Sequence, residues 1–280
     1  MSFEIVFRDP SPETLVFPWD EPLVVNSHGS NVFGRLLRPA FFDTESKCPV
    51  VLMLHGHPGG EKNLDLAQYF RANGFAVAYF SYRGVWGSQG DYCLSHNIED
   101  TIIVAEYIRK HAAAFRIDPE RLYLLGHSMG GFSALNAIAA GLKVKGAVLM
   151  APCDTGYKLL YDRPGFYDLM HHKHNGYFRL PSEGFMEKDA ELHANEWYFP
   201  NLVDRFDRRT LFRFIGGAKD VTTPPEHHIL PVFASLQEKG FSVKYTQLDD
   251  GHMFPVSRVR LATVILEYLE EMENQNGCSR

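Results

Sequence analysis

The sequence has few of the features that mark disulfide-stabilised, membrane-spanning or nucleic-acid-binding proteins. Its 280 residues include only 4 cysteines, which are scattered and form no CxxC pair, so neither a disulfide framework nor a cysteine-based metal site is expected. No apolar run reaches the roughly 18 residues that a membrane-spanning helix needs. The 34 acidic residues outnumber the 28 basic ones, which argues against the basic surface that nucleic acids require.

The amino-terminal residues do not have the pattern expected of a secretory signal. Residues 1–8 lack the basic region and the apolar core of a secretory signal, and we therefore expect a reducing, cytoplasmic location. Hydrophobic residues at 45% and charged residues at 22% are typical of a globular protein of one or two domains. We expect no membrane and no nucleic acid as partners, and the sequence leaves homo-oligomerisation open.

What the sequence does contain is a regular alternation of apolar strands and helical segments. Helices are predicted over about residues 61–72 and 256–273 and from Asp220 to about residue 239, and residues 118–120 are predicted as a turn. Eight strands are predicted: two within 23–39, then 49–54, 75–80, 121–125, 144–150, 211–215 and 243–248. Strands that alternate with helices favour parallel pairing with helices on both faces. The predicted fold class is therefore α/β, with a mostly parallel, doubly wound sheet of eight strands.

Residues 154–208 interrupt this alternation, because they carry many aromatic, histidine and charged residues without a strong period. We interpret the stretch as an insertion that caps the carboxyl edge of the sheet. The predicted organisation is an α/β core over residues 1–153 and 209–280, with a cap or lid over 154–208.

The aromatic residues of the insertion allow two interpretations. They can line a pocket for an acyl or aryl group, or they can pack the cap against the sheet. As substrate contacts we expect Tyr167, Trp197 and Tyr198, together with Trp86 from an earlier glycine-rich loop. The stretch His171-His172-Lys173-His174 is interpreted as solvated cap surface, since adjacent histidines on a helix point in different directions. We expect no metal and no cofactor.

The sharpest chemical signal is the segment Gly126-His127-Ser128-Met129-Gly130, which lies between an apolar strand and a small-residue helix. A serine on so tight a strand-to-helix turn has a strained backbone, and side chains two residues before and after it would clash. Gly126 and Gly130 meet this requirement. The turn would lift the hydroxyl of Ser128 above the sheet, beside the first N–H groups of the helix. The alternative is a serine that only caps the helix.

With this motif, residues 45–273 apart from the insertion resemble the α/β-hydrolase fold family. In that family a nucleophilic serine, an acid and a histidine follow one another along the chain. Ser128, Asp220 and His252 keep that order, each just after a predicted strand. The resemblance implies that Ser128 is the nucleophile, that His252 is its base, and that Asp220 orients His252.

The identity of the acid has an alternative. Asp154 follows the preceding strand, and some relatives place the acid there. Asp249 and Asp250 are so near His252 in sequence that turn-forming roles are expected instead. Cys153 follows the wrong strand to be a nucleophile and is expected to be a small core residue.

The segment from His55 to Gly60, with the sequence HGHPGG, resembles the family's HGxPG segment. That segment would supply one backbone donor to the oxyanion of a tetrahedral intermediate. The matching position is His57, because Pro58 has no N–H to donate. The second donor would be the N–H of Met129, directly after the nucleophile. The motif lacks the GxxxxGK[ST] pattern of a phosphate loop.

These residues lead to three hypotheses of function. The first is a serine hydrolase that cleaves carboxylic esters of small or medium acyl or aryl groups through an acyl-enzyme. The second is a serine peptidase acting on short peptides, because residues 116–121 and 223–227 look like the prolyl oligopeptidase catalytic domain. The third is a non-catalytic member that binds a small ligand.

Overall fold

The computed structural model describes residues 20–39, 47–171 and 177–275. Eight strands form a single sheet in this part of the chain. Their bounds are β1 Asp20–Ser27, β2 Ser30–Leu37, β3 Cys48–Leu54, β4 Ala76–Phe80, β5 Ile117–His127, β6 Gly146–Met150, β7 Leu211–Gly217 and β8 Val243–Leu248.

The strand order across the sheet is β1-β2-β4-β3-β5-β6-β7-β8. Strand β2 pairs antiparallel with β1 and with β4, and every later pairing is parallel. The predicted mostly parallel, eight-stranded α/β sheet is therefore confirmed. Because the strands from β3 onward are parallel, their carboxyl ends meet along one edge, where ligands bind in open α/β sheets.

Twelve α-helices connect and cover these strands in the described residues. They are α1 Leu64–Ala72, α2 Leu94–Lys110, α3 Ala112–Phe115, α4 Met129–Ala139, α5 Thr155–Tyr161, α6 Arg163–His171, α7 Phe185–Leu192, α8 Ala194–Trp197, α9 Phe199–Leu202, α10 Pro225–His228, α11 Leu230–Glu238 and α12 Arg258–Asn274.

The apolar run of β3 shows how the two faces are covered. Val50 and Leu52 belong to the hydrophobic cluster that includes Phe132 of α4, whereas Val51 belongs to a second cluster that includes Phe70 of α1. Successive side chains of a strand point to opposite faces, so a strand with apolar residues at every position is buried on both sides.

The predicted insertion shares the larger of these two clusters. Phe166, Met186, Trp197 and Phe199 are all buried there, together with residues of α2 and α4. The segment between β6 and β7 therefore packs directly on the α/β core instead of forming a hydrophobic core of its own.

Three local differences from the sequence prediction concern element ends. The helix predicted from residue 61 begins at Leu64, because residues 61–63 form part of a loop. The helical segment after Asp220 is divided at Ile229 into α10 and α11. The predicted turn over residues 118–120 lies inside β5, where the register against β3 shifts. Within the described ranges, none of the helices combines the length and the hydropathy needed for a membrane span.

Candidate active site

Ser128 lies at the sharp turn between β5 and α4, with backbone angles φ 56° and ψ −118°. Glycines make this turn sterically feasible. A Cβ on Gly130 would lie 2.0 Å from the carbonyl oxygen of Leu54, and one on Gly126 would lie 2.5 Å from that of Gly130. These contacts are far inside van der Waals distance, which is the physical basis of the glycine spacing predicted from the sequence.

Backbone hydrogen bonds hold the turn in place. The N–H of Ser128 donates to the carbonyl of Met150 at 3.0 Å, and the N–H of Cys153 donates to the carbonyl of Ser128 at 3.0 Å. The turn is therefore tied to the carboxyl end of β6. Met129 is the first residue of α4, and its N–H has no acceptor within the helix, since the first N–H groups of any helix lack one.

His252 and Asp220 meet beside this turn. The ring nitrogen Nδ1 of His252 lies 2.8 Å from Oδ2 of Asp220. Asp220 is in the loop after β7 and His252 in the loop after β8, so two parallel neighbouring strands deliver them to the same edge. The N–H of Ala218 donates to the carbonyl of Leu248 at 2.8 Å and joins the two loops.

The carboxylate of Asp220 is surrounded by donors. Its Oδ1 accepts from the N–H groups of Thr222 and Thr223 at 2.8 and 2.9 Å, and the hydroxyl of Thr223 lies 2.8 Å from Oδ2. Burial favours the neutral acid, but the hydrogen bond and charge of His252 and the donors of Thr223 outweigh it and lower the pKa of Asp220 to about 2. Asp220 is therefore an anion at neutral pH.

The side chain of His127 contacts the loop that carries His252. Its Nε2 lies 2.9 Å from the carbonyl oxygen of His252, and it is almost fully buried. Burial, reinforced by the nearby His252, lowers the pKa of His127 to about 3. The ring is neutral at physiological pH, and Nε2 carries the proton that it donates to this carbonyl.

Ser128 and His252 line the same cleft, which has a volume of about 140 Å³ and also exposes Gly56, His57, Pro58 and Glu61. In the described part of the chain, no hydrogen bond joins the Ser128 hydroxyl to the His252 ring. Catalytic hydrogen bonds are often long in proteins without substrate. The predicted nucleophile, base and acid are thus brought to one edge, with the acid and base in direct contact.

The segment that carries His57 and Pro58 is held by aromatic side chains. The ring of His57 stacks on Phe178 with centroids 4.6 Å apart, and the indole N–H of Trp86 donates to the carbonyl of Pro58 at 2.8 Å. The ring of Trp86 in turn packs against Tyr177, with centroids 4.9 Å apart and an angle of 30° between the ring planes. Phe178 of the insertion therefore contacts the loop that carries His57, and Tyr177 contacts that loop's neighbour Trp86.

Asp154, the alternative acid, faces backbone rather than histidine. Its two oxygens accept from the N–H groups of Tyr157 at 2.8 Å and Phe199 at 3.0 Å, so it caps helix α5. Asp250 likewise accepts from the N–H groups of residues 256 and 257 before α12. The exposed Asp249 pairs with Lys219.

Three of the four aromatic residues expected at substrate lie elsewhere in the described structure. Trp197 is 3% exposed and packs edge-on against Phe132 in the core. The hydroxyl of Tyr167 bonds Glu191 at the surface. Tyr198 packs edge-on against Tyr161, away from the cleft lining. Trp197 thus meets the need for large apolar side chains that pack the insertion on the core, whereas Tyr167 and Tyr198 make their ring and hydroxyl contacts within the insertion.

Trp86 differs from these three residues, because its indole N–H bonds the carbonyl of Pro58, which lines the cleft. The sequence did not indicate three further side chains of the candidate site. They are Glu61 in the cleft wall, Thr223 beside Asp220, and His127 next to the loop of His252. The position of Thr223 three residues after Asp220 is a detectable signal, since Asp and Thr at this spacing commonly share a turn.

No group of three or more His, Cys, Asp or Glu suitable for a metal ion occurs in the described residues. Cys153 is buried, as expected of a small core residue, and burial raises the pKa of its thiol to about 11. The histidines at 172 and 174 lie outside the described residues, so their predicted surface role stays a prediction.

Comparison with known proteins decides the family. The model of the alpha/beta hydrolase family matches residues 51–261. The chain belongs to the alpha/beta hydrolase family. The match begins in β3 and ends in α12, and it therefore includes the elbow and both loops that carry Asp220 and His252.

Among curated relatives, the uncharacterized protein YfhR of Salmonella typhimurium is 30% identical over 111 residues, which are 39% of this chain and 37% of that protein. The segments aligned with curated relatives cover between 18% and 40% of those proteins' own length. The similarity therefore concerns a part of each relative.

Two solved structures illustrate the range of enzymes with this fold. A puromycin-hydrolyzing peptidase of Mycobacterium tuberculosis matches with a TM-score of 0.70 and 21% identity, over 94% of this chain and 40% of that one. A Rhizomucor miehei esterase structure matches with a TM-score of 0.68 and 16% identity, over 94% and 86%. At these identities the likeness shows the fold alone.

Proposed function

We propose that this protein is a serine hydrolase that cleaves carboxylic esters of small to medium acyl or aryl groups. The observation that carries the proposal is the contact between Asp220 and His252 at 2.8 Å, at the rim of a cleft that also contains Ser128 on a glycine-framed turn. A serine hydroxyl is a weak nucleophile at neutral pH, and it needs a base that a third group orients.

The reaction would proceed through an acyl-enzyme. Ser128 Oγ attacks the carbonyl carbon while His252 Nε2 takes the hydroxyl proton. The tetrahedral intermediate collapses, and the leaving alcohol departs with the proton that His252 returns to it. Water then attacks the acyl group, His252 takes its proton, and the carboxylic acid and free Ser128 are regenerated.

The proposed oxyanion donors are the N–H groups of His57 and Met129. Met129 follows Ser128 directly in the chain. His57 follows Gly56, on which a Cβ would lie 3.1 Å from the Cβ of Ser128. Each such donor contributes about 3–4 kcal/mol of transition-state stabilisation in enzymes where it has been removed. Asp220 would hold the proton of His252 on Nδ1 and stabilise the imidazolium that forms.

The size of the cleft supports a small reacting group. Its volume of about 140 Å³ is below the several hundred Å³ that drug-sized ligand pockets usually have. An ester carbonyl with a short acyl or aryl portion fits this space. Peptide cleavage by the same residues is the alternative. It is supported by the resemblance of residues 116–121 and 223–227 to the prolyl oligopeptidase catalytic domain, and by peptidases among the relatives and the structural neighbours.

The decisive experiment is labelling by a fluorophosphonate probe followed by a substrate panel. We expect the wild-type protein to be labelled, the Ser128→Ala variant to be unlabelled, and the Ser235→Ala variant, altered at a partly buried serine of α11, to be labelled normally. Turnover of p-nitrophenyl esters should fall at least about 10³-fold in Ser128→Ala. Labelling that survives this substitution would refute the assignment of the nucleophile.

The panel then separates ester from peptide cleavage. We expect p-nitrophenyl esters to be hydrolysed faster than the corresponding aminoacyl p-nitroanilides. Faster cleavage of the anilides would support the peptidase alternative. A wild-type protein that is neither labelled nor active on either class would indicate a ligand-binding role.

A further inference from the structure

Glu61 is an acidic group in the wall of the catalytic cleft. The segment that carries His57 continues through Gly59 and Gly60 to Glu61, which lines the cleft together with Ser128. One oxygen of its carboxylate accepts from the N–H of Asn63, which fixes the side chain in the loop that precedes α1. The side chain is nevertheless exposed, so its charge faces solvent and anything that enters the cleft.

Two exposed aromatic rings lie beside the segment that leads to Glu61. Trp86 and Tyr177 leave 42% and 44% of their surface exposed, and their rings contact each other at a tilt of 30° with centroids 4.9 Å apart. A Cβ on Gly60 would lie 3.6 Å from the indole of Trp86, so Glu61 follows directly after a residue that the indole covers. Aromatic faces carry partial negative charge and attract cations.

The cations of this region already have partners. The ammonium group of Lys62 donates a hydrogen bond to the hydroxyl of Ser81 at 2.6 Å. Arg258 forms an ion pair with the carboxylate of Asp65. Arg179 donates to the carbonyl of Gly90 at 2.6 Å. Neither lysine nor arginine belongs to the described residues that line the cleft. Glu61 is therefore the one carboxylate of the described cleft lining, and no lysine or arginine of that lining offsets its charge.

We propose that Glu61, Trp86 and Tyr177 form a subsite for a positively charged part of the substrate, such as a quaternary ammonium or an alkylammonium group. The inference rests on the proposed hydrolase function and narrows its substrate class to esters with a cationic acyl or alcohol portion. The carboxylate supplies charge attraction, and the aromatic pair supplies an apolar face that tolerates an alkylated cation.

Isosteric pairs of substrates test the charge without changing the shape. Acetylthiocholine is compared with 3,3-dimethylbutyl thioacetate, and p-nitrophenyl 4-(trimethylammonio)butanoate with p-nitrophenyl 5,5-dimethylhexanoate, each rate being divided by spontaneous hydrolysis. We expect kcat/KM of the cationic member to be higher in at least one pair, and the preference to weaken as salt is added. Equal kcat/KM values in both pairs would overturn the proposal.

Substitutions show which residues cause the preference for the cationic substrate. We expect Glu61→Gln to reduce the cationic-to-neutral ratio of kcat/KM about five-fold, as for a partly exposed ion pair, and Trp86→Leu and Tyr177→Leu to reduce it about two- to three-fold each. Glu238→Gln, which removes an exposed carboxylate on α11, should leave the ratio unchanged. A ratio that persists in Glu61→Gln would overturn the role of Glu61.

A binding measurement keeps this proposal separate from the hydrolase proposal. Choline and its neutral isostere 3,3-dimethylbutan-1-ol are titrated into the Ser128→Ala protein, with and without Glu61→Gln. Preferred binding of choline that Glu61→Gln removes supports the subsite even where no ester is hydrolysed. Equal binding of the two alcohols overturns the subsite even where hydrolysis is established.

Discussion

The loops that follow β6 and β7 each begin near a buried aspartate, and they differ in what faces the carboxylate. Asp154 is 1% exposed and Asp220 is 5% exposed. Both accept two hydrogen bonds from backbone N–H groups. Burial raises the pKa of Asp154 to about 8, whereas His252 and Thr223 overcome burial and lower the pKa of Asp220 to about 2.

This difference shows that the partner of a buried carboxylate decides its role more than its burial or its place after a strand does. Asp154 completes the amino-terminal turn of α5 and contacts no cation in the described chain. Asp220 is aligned with a histidine ring that would become charged in the proposed reaction. The same residue type at neighbouring strand ends thus serves as a helix cap in one loop and contacts a histidine ring, as the proposed orienting acid, in the other.

The largest effect should come from changing the two aspartates to asparagine. Asp220→Asn should lower kcat of ester hydrolysis about 10³- to 10⁴-fold, because the amide cannot hold the required tautomer of His252 or stabilise its charge. Asp154→Asn should leave kcat within about three-fold, since a helix cap acts on stability. Steady-state kinetics of both purified variants, with folding checked by circular dichroism, would decide this. Near-native turnover of Asp220→Asn with a collapse in Asp154→Asn would reverse the assignment.

A smaller effect is expected at Thr223, the positioning residue between Asp220 and His252. Its hydroxyl lies 2.8 Å from Oδ2 of Asp220 and 3.1 Å from Nδ1 of His252. Thr223→Val should lower kcat about ten-fold, the cost of one hydrogen bond to a charged group, with KM little changed. Thr223→Ser keeps the hydroxyl and should recover most of the rate. A rise in KM at constant kcat would instead point to a role in substrate binding.

The smallest effect concerns the free energy of unfolding, and it tests the difference in pKa between Asp154 and Asp220. A carboxyl whose pKa rises on folding contributes stability that is fully present below its unfolded pKa and is lost as pH rises through the folded pKa. For Asp154 this window extends from about pH 4 to about pH 8, with a slope of at most about 1.4 kcal/mol per pH unit.

The wild-type free energy of unfolding should therefore fall more steeply between pH 5 and 8 than that of Asp154→Asn. Urea titrations at several pH values measure both slopes. Asp249→Asn is the matched control, because its carboxylate is 81% exposed and stays in water on folding. Parallel curves for wild type and Asp154→Asn would show that the backbone donors keep Asp154 ionised in the folded protein.

The parts of the site that depend on local sequence could be predicted, and the parts that depend on distant contacts could not. The elbow at Ser128 follows from glycine spacing, because the clash that excludes a Cβ at Gly126 involves Gly130 only four residues away. The register of the strands places Asp220 and His252 at the same edge. Whether Asp154 or Asp220 meets the histidine depends on how two loops pack, which the sequence left as alternatives.

The aromatic residues illustrate the same limit. From composition alone, Trp197 and Trp86 were equivalent candidates for substrate contact. The structure buries Trp197 against Phe132 and leaves Trp86 42% exposed beside Gly60. Glu61 was predicted to begin a helix, but the helix starts three residues later and leaves its carboxylate in the cleft wall.

The sequence by itself determined the eight-stranded α/β sheet and the strained turn at Ser128, because periodicity and glycine spacing act over a few residues. Only the tertiary structure decided which carboxylate faces His252, which aromatic side chains the core absorbs and which charge lines the cleft. Those outcomes depend on contacts between segments far apart in the chain, where packing and desolvation distinguish residues that look alike in the sequence.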